Sequence, residues 1–481
     1  MIRWWVHKVR RRFAWIRIRP SNESYLTLTS SFRQHATEEY PPFRLAPNGV
    51  TVVCLGAPPN ATGVVNGVTY TGVVNGVTYT GVVNGVTYTK RGREALLALV
   101  QSESWGELET SCTTDNVDFS ELFKDAAGFN ADISSWDVAN VRTMEGMFRG
   151  ATSFDQDISS WNVRAVTTMK YMFRDTPFNQ PIGVWNTSSV EDMSWMIYNA
   201  ANFNMPIGAW DTSRVKDFSG MFYGATGFNQ PIGGWNTGSA TTLYAMFGGA
   251  TAFNQPIGDW DVSKVTNMAD MFWNAAVFDQ DISAWDTGSV TTMVDMFRDA
   301  FAFNKPLDAW NMSGVTKAYS MFMAAPLFNQ PLGSWDMSKN TRFDNMFKGA
   351  TNFNQDIGDW NTAAATDMSY MFYEAREFNQ DVSDWNTAAV TTMASMFAGA
   401  TAFNNGGQAL AWTNTAAVTD MSYMFYNASA FNQAIPTVGN QWNTGAVTSM
   451  TRMFELASAF GQDLSSWPVA DVDDCENFAG D

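Results

Sequence analysis

The stretch Phe253 to Phe272, FNQPIGDWDVSKVTNMADMF, brings oxygens, amides, sulfurs and an indole into one short segment. The residue after its tryptophan belongs to a column of Asp or Asn that includes Asp137, Asn162, Asn186, Asp211, Asn236, Asp261 and Asp286. Such oxygens could take Ca²⁺ or hydrogen-bond sugar hydroxyls. They could equally tie repeat to repeat as an amide ladder, or simply be solvated. Calcium wants about six to eight converging oxygens, so one column supports at most weak calcium binding. The paired methionines, Met268 and Met271 here, suggest soft-metal ligation, but their spacing of three followed by Phe272 is that of a core face.

Features that differ between copies are better candidates for recognition. Aromatic pairs stand at Trp195 with Tyr198, Tyr370 with Tyr373 and Tyr423 with Tyr426, and Tyr223 and Trp273 stand singly. Exposed Trp and Tyr are common binding anchors, and the alternative is that they pack over neighbouring repeats. Two insertions, NNGGQALAW (Asn404 to Trp412) and NQAIPTVGNQW (Asn432 to Trp442), lengthen adjacent turns. Insertions in a repeat array emerge on one face, which makes Asn405, Gln408, Asn440 and Gln441 candidate contact residues.

Other chemistry is thinly supplied. The two histidines, His7 and His35, precede the repeats, and no phosphate-loop, zinc-protease or nucleophile-elbow motif occurs. A disulfide between Cys54 and Cys112 is open, and Cys475 falls where other repeats place Met, as a small buried hydrophobe would. No repeat departs from the others in a catalytically useful way, so no enzyme, cofactor or dedicated metal site is expected. The net charge of −18 argues against a nucleic-acid surface, and no apolar run is long enough for a transmembrane helix.

These residues are positioned by a repeat. Trp136, Trp161, Trp185, Trp210, Trp235, Trp260, Trp285, Trp310, Trp335, Trp360 and Trp385 stand 24 or 25 residues apart, and Trp412, Trp442 and Trp467 continue the series after the insertions. A fixed period of this length marks a solenoid of the leucine-rich-repeat kind, with each tryptophan stacked on the next in the core. Ile257, Trp260 and Val262 predict a short strand. Val265, Met268, Met271 and Phe272 predict one face of a short helix, with Thr266 as its N-cap. Gly150, Asn199, Gly224, Gly249, Asn274, Gly349 and Gly399 predict a left-handed stop, and Phe253 with Asn254 begins the turn back.

The unit F-N-Q-[PD]-I-x-x-W-[DN]-[TV]-x-x-V-T-x-M-x-x-M-F resembles the BspA-like leucine-rich-repeat family, whose short repeats also occur in mycoplasma surface lipoproteins. The resemblance runs roughly from Phe119 to Phe478, and NGVTYTKRGREALLALV and SCTTDNVDFSELF resemble the leader of such arrays. It implies a surface or secreted protein engaged in adhesion and binding, with no enzymatic activity in the repeats.

Three segments are expected. Residues 1–50 show little periodicity and open with MIRWWVHKVRRRFAWIRIRP, which reads as a transit peptide or as misjoined upstream sequence; they are expected to be poorly ordered. Residues 51–104 carry TGVVNGVTY three times without change, each copy a hairpin signal through its Asn-Gly, and then the short helix EALLALV. Residues 105–481 form an α/β right-handed solenoid of about 14 repeats, one strand and one helix each. The functional expectation is a non-enzymatic extracellular or cell-surface protein that binds a protein or glycan ligand. The rival is an intracellular scaffold for protein–protein interaction. Acceptors for N-glycosylation at Asn22, Asn60, Asn186, Asn311 and Asn427 have meaning only in the first case.

Overall fold

A computed structural model describes residues 43–45, 52–54, 62–65, 68–71, 80–83, 86–412, 414–436 and 442–479. Inside residues 1–50, expected to be poorly ordered, lies β1 (Phe43–Leu45), which pairs antiparallel with β2 (Val52–Cys54) just beyond them; residues 1–42 and 46–50 lie outside the described residues. The first TGVVNGVTY copy forms β3 (Thr62–Val65) and β4 (Val68–Thr71), and the third forms β5 (Thr80–Val83) and β6 (Val86–Lys90). Both hairpins have the same register, Val65 opposite Val68 and Val83 opposite Val86, which leaves the Asn-Gly between the paired valines. Most of the middle copy, residues 72–79, lies outside the described residues.

The chain then enters α1 (Arg93–Gln101), which spans EALLALV and buries Leu96, and α2 (Trp105–Glu109), which buries Leu108. β7 (Ser111–Cys112) runs parallel to β6 and joins the hairpins to the array. Cys112 is disulfide-bonded. The side chain of Cys54, the partner weighed for it, lies outside the described residues.

From there, equivalent positions of successive units lie side by side in parallel. Bridges join Asp118 to Thr143, Thr143 to Thr168, Thr168 to Asp192 and so on to Ser449 with Asp474, with Lys317 to Arg342 the missing step. The expected helix is not there: no α-helix occurs among the described residues after α2. In the quoted unit, the N–H groups of Met268, Asp270, Phe272 and Asn274 donate to Thr292, Val294, Met296 and Arg298 of the next unit. Only the alternate ones, from Met271, Trp273 and Ala275, close turns within their own unit. A helix would keep all of these bonds inside the segment, and one of two turns is marginal by itself. A neighbour in register offers carbonyls at every second residue, and the inter-unit ladder wins.

Left-handed residues make that ladder possible. Asp270 (φ 56°) and Asn274 (φ 53°) recur as Gly146 with Gly150, Tyr171 with Asp175, Trp195 with Asn199 and Gly220 with Gly224. Every stop position named from the sequence is left-handed. What the sequence concealed is a second left-handed site four residues earlier, which breaks the helical run.

The expected strand is also absent. Trp260 N–H bonds Ile257 O at 3.2 Å and Val265 N–H bonds Val262 O at 2.9 Å, so this side is two successive turns. Here the units are linked by side chains. The Trp260 indole Nε1 donates to Ile232 O of the preceding unit at 3.2 Å, and Thr237 Oγ1 donates to Asp261 O at 2.9 Å. The indole bond repeats at every tryptophan of the repeat series from Trp136 to Trp442. The side chain of Trp467, the last of the series, finds no acceptor among the described residues.

The interior is one continuous core in which each ladder tryptophan is at most 7% exposed. Trp235 and Trp260 lie 6.4 Å apart and 4° from parallel, and Phe272 stacks on Phe278 at 3.9 Å. Burying one indole contributes roughly 4–6 kcal/mol gross. The third edge is an amide ladder: Asn254 Oδ1 accepts Asp279 N–H at 2.9 Å and Gln280 Nε2 at 2.8 Å. That explains Phe-Asn-Gln as a turn that binds the turn above it.

Cys475 departs from its expectation. It is exposed in the last described turn.

Candidate partner-binding surface

With the interior filled, the side chains open to a partner are those in columns that face outward. The Asp and Asn column beside the tryptophans is exposed at Asp261 and Asp286, but its oxygens already close turns. Asp261 Oδ1 accepts Ser263 N–H at 3.0 Å and Ser263 Oγ at 2.6 Å, and Asp286 Oδ1 accepts Gly288 N–H at 3.1 Å. The same Asx turn forms at Asn186, Asp211, Asn236, Asn311 and Asp336. Hydrogen bonds from Ser263 hold the Asp261 carboxyl below its ordinary range. Among the described residues no group of three or more His, Cys, Asp or Glu could hold a metal. The column is the turn itself, and bonding along the stack runs through backbone and threonine instead.

The outer side of the ladder is different. Trp195 and Tyr198 are half-buried, with Trp195 in the left-handed region at φ 58°. Tyr198 stacks on Tyr223 at 5.1 Å and 8°, and Tyr223 stacks on Trp273 at 5.7 Å across the gap left by Gly248. Trp195 meets Tyr198, Tyr223 and Tyr244 at 5.6–6.1 Å. Glycines in the next units receive these rings: a β-carbon on Gly220 would lie 2.0 Å from the Trp195 ring, and one on Gly248 would lie 2.7 Å from Tyr223. Packing over neighbours and exposure of the remaining ring surface hold together. The structure thus unites Trp195, Tyr198 and Trp273, and sets Tyr370 and Tyr373 apart as a second pair 5.8 Å from each other, both under Lys348.

Charged groups close both ends of the aromatic row. At one end Arg174 lies over Tyr198 at 4.5 Å, and Arg149, Lys170 and Arg174 surround Tyr171. At the other, Asp270 and Asp295 occupy successive left-handed positions, with Arg298 3.3 Å from Asp295. Burial, reinforced by the charge of Asp295, raises the Asp270 carboxyl to about 6, while Arg298 and a hydrogen bond with Tyr244 oppose the shift. Burial also raises Asp295. Sequence reasoning passed over Tyr171, Tyr244 and the cations. Aligning the units by their tryptophans puts Arg149, Arg174, Tyr198 and Tyr223 in one column, and that alignment was the available signal.

The inserted loops lose a candidate. Asn405 is fully buried: its Oδ1 accepts Val382 N–H at 2.9 Å, and its Nδ2 donates to Ser383 Oγ at 2.9 Å and Gln408 O at 3.0 Å. It fastens the loop to the preceding unit and is not a contact residue. Gln408 is exposed, and Asn440 and Gln441 lie outside the described residues. A separate depression of about 310 Å³ is lined by Asp308, Pro331, Gly333, Ser334, Gln355, Asp356 and Asp359, with neither a nucleophile–base pair nor a cation.

No helix of the described residues is long and apolar enough to cross a membrane. No curated protein matches the chain. A family model described as "Mycoplasma protein of unknown function, DUF285" matches it in overlapping stretches, residues 101–194, 175–275, 241–347, 301–410, 328–435 and 407–479. Together these take in residues 101–479, and the chain belongs to that mycoplasma-type family of tandem repeats.

Proposed function

We propose that the array is a right-handed solenoid of the leucine-rich-repeat kind, akin to the BspA-like proteins, and that it acts as a non-enzymatic recognition or adhesion protein at the cell surface or in the secreted state. It binds a protein or glycan through the outer side of the ladder. The observation that carries this reading is the aromatic row Trp195, Tyr198, Tyr223 and Trp273, large rings gathered across units outside the core. The disulfide at Cys112 supports an oxidising compartment, because such bonds are rare where glutathione keeps thiols reduced. Asn186 and Asn311 are exposed, so a secretory route would find them accessible.

The test is expression of the full chain in a eukaryotic secretory host, followed by glycan-site mapping, a glycan array and a pull-down from extracellular material. Occupied Asn186 or Asn311 and retention of a specific ligand are expected. A chain kept in the cytosol of its own cells with bare asparagines would sink the surface reading in favour of an intracellular scaffold.

A further inference from the structure

Three cations converge on one ring at the start of the aromatic row. The Arg149 guanidinium, the Lys170 ammonium and the Arg174 guanidinium lie 5.7, 5.1 and 5.5 Å from the centroid of Tyr171. The ring's electron-rich face attracts each of them but leaves their mutual repulsion in place. Arg174 has a counter-charge in Asp175 at 3.0 Å. Arg149 and Lys170 have none within ion-pair distance among the described residues. The nearby acid Glu121 is engaged by Lys124 at 2.8 Å, and Asp175 also accepts a hydrogen bond from Asn199. Two half-buried cations without a counter-charge among the described residues, in a chain of net charge −18, form a local exception to its field.

The backbone marks the same place. Tyr171 stands at φ 57°, where the preceding unit has Gly146, so a bulky ring is held in a conformation that favours glycine. From it the row continues through Arg174 to Tyr198, Tyr223 and Trp273. The rings are half-buried, and Val184, the most exposed aliphatic side chain among the described residues, lies outside these columns. A shallow, linear row of rings with cations at one end suits a chain of sugar units bearing an acidic group better than an aliphatic peptide side chain seeking a pocket.

We propose that Arg149, Lys170 and Arg174 around Tyr171 take the carboxylate or sulfate of an acidic glycan, whose following sugar units lie along Tyr198 and Tyr223. This rests on the reading of the outer ladder side as a recognition surface and gives it a ligand class.

The experiment titrates the full chain by calorimetry at low salt with three hexasaccharides: an oligogalacturonate, a sulfated chondroitin and neutral cellohexaose. At least one acidic sugar is expected to bind, at least tenfold tighter than the neutral one and more weakly as salt rises. The two acidic arms separate carboxylate from sulfate. The R149Q/K170Q variant should lose binding tenfold or more with unchanged melting temperature, while K348Q, at the separate Tyr370 pair, should bind normally. No binding of either acidic sugar, equal binding of cellohexaose, or full affinity in R149Q/K170Q would overturn the proposal. Tighter binding of hexaglutamate than of the sugars would overturn the glycan class. If the acidic sugars fail to bind while another ligand binds elsewhere on the chain, only the acidic-glycan assignment falls, and the recognition reading stands.

Discussion

The two long sides of each unit hold their neighbours by opposite means. On the ladder side the backbone carries the stack: Met268, Asp270, Phe272 and Asn274 all donate upward, whatever their side chains. On the tryptophan side the backbone turns on itself, and the links are Trp260 Nε1 to Ile232 O and Thr237 Oγ1 to Asp261 O. A side whose cohesion comes from main chain can change its side chains; one whose cohesion comes from side chains cannot. That is why tryptophan returns in every unit, while the outward ladder positions run through Gly, Tyr, Trp, Asp, Ser and Asn. Variation collects where the backbone tolerates it.

The sharpest way to break this contrast is at the tryptophan side. Trp260 is 3% exposed, stacks on Trp235 and Phe247, and satisfies the Ile232 carbonyl. Trp260→Ala should cost about 3–5 kcal/mol from the cavity and the orphaned carbonyl. Trp260→Phe keeps a ring and should cost about 2 kcal/mol. Because units contact only their neighbours, the alanine variant should also split urea unfolding into two transitions. A single transition with an unchanged midpoint would show that the tryptophan is dispensable there.

The ladder side offers a matched pair of glycines. Gly220 (φ +56°) and Gly249 (φ +67°) are both left-handed, but a β-carbon on Gly220 meets the Trp195 ring at 2.0 Å, while one on Gly249 meets only ordinary contacts from 3.5 Å. Gly249→Ala should cost about 1 kcal/mol, the left-handed penalty alone. Gly220→Ala should cost about 2–3 kcal/mol, with the excess removed in the Trp195→Ala background, since the extra term is steric overlap. Equal losses at both positions in chemical denaturation would mean that the ring does not rest on Gly220.

Much of this was legible in the sequence, for a physical reason. Every inward residue repeats, so the core columns of Trp, Met and Phe and the glycine or asparagine stops could be read by alignment alone. The secondary structure was not. Val265, Met268, Met271 and Phe272 fit a helical face because turns that return a side chain inward after three residues share that spacing. The distinguishing sign lay in the left-handed position of Asp270, which other units fill with Gly146, Gly220 or Asn345 but also with Tyr171 and Trp195. Glycine there is a signal, and a tyrosine in the same column conceals it. The burial of Asn405 was hidden likewise, because an Asn in a Gly-rich insertion looks solvent-facing until its bonds to Val382 and Ser383 are seen.

The smallest effect concerns the charged end of the row and has a definite sign. Asp270 in the folded chain titrates at about 6, raised first by burial and then by the charge of Asp295. The folded state therefore holds its proton more tightly than the unfolded chain, whose carboxyl titrates at about 4. Stability must then fall as pH rises from about 4 to about 6, and the deficit stays constant above that range. Asp270→Asn is neutral at every pH and tolerates the left-handed φ of 56°. It should gain about 1 kcal/mol at pH 7–8, a figure reduced for the partial exposure of the site, and little or nothing at pH 4. Denaturation midpoints of both proteins at these two pH values decide the matter. A variant that is less stable at pH 8 would mean that Arg298, 3.3 Å from Asp295, stabilises the ionised pair more than burial opposes it.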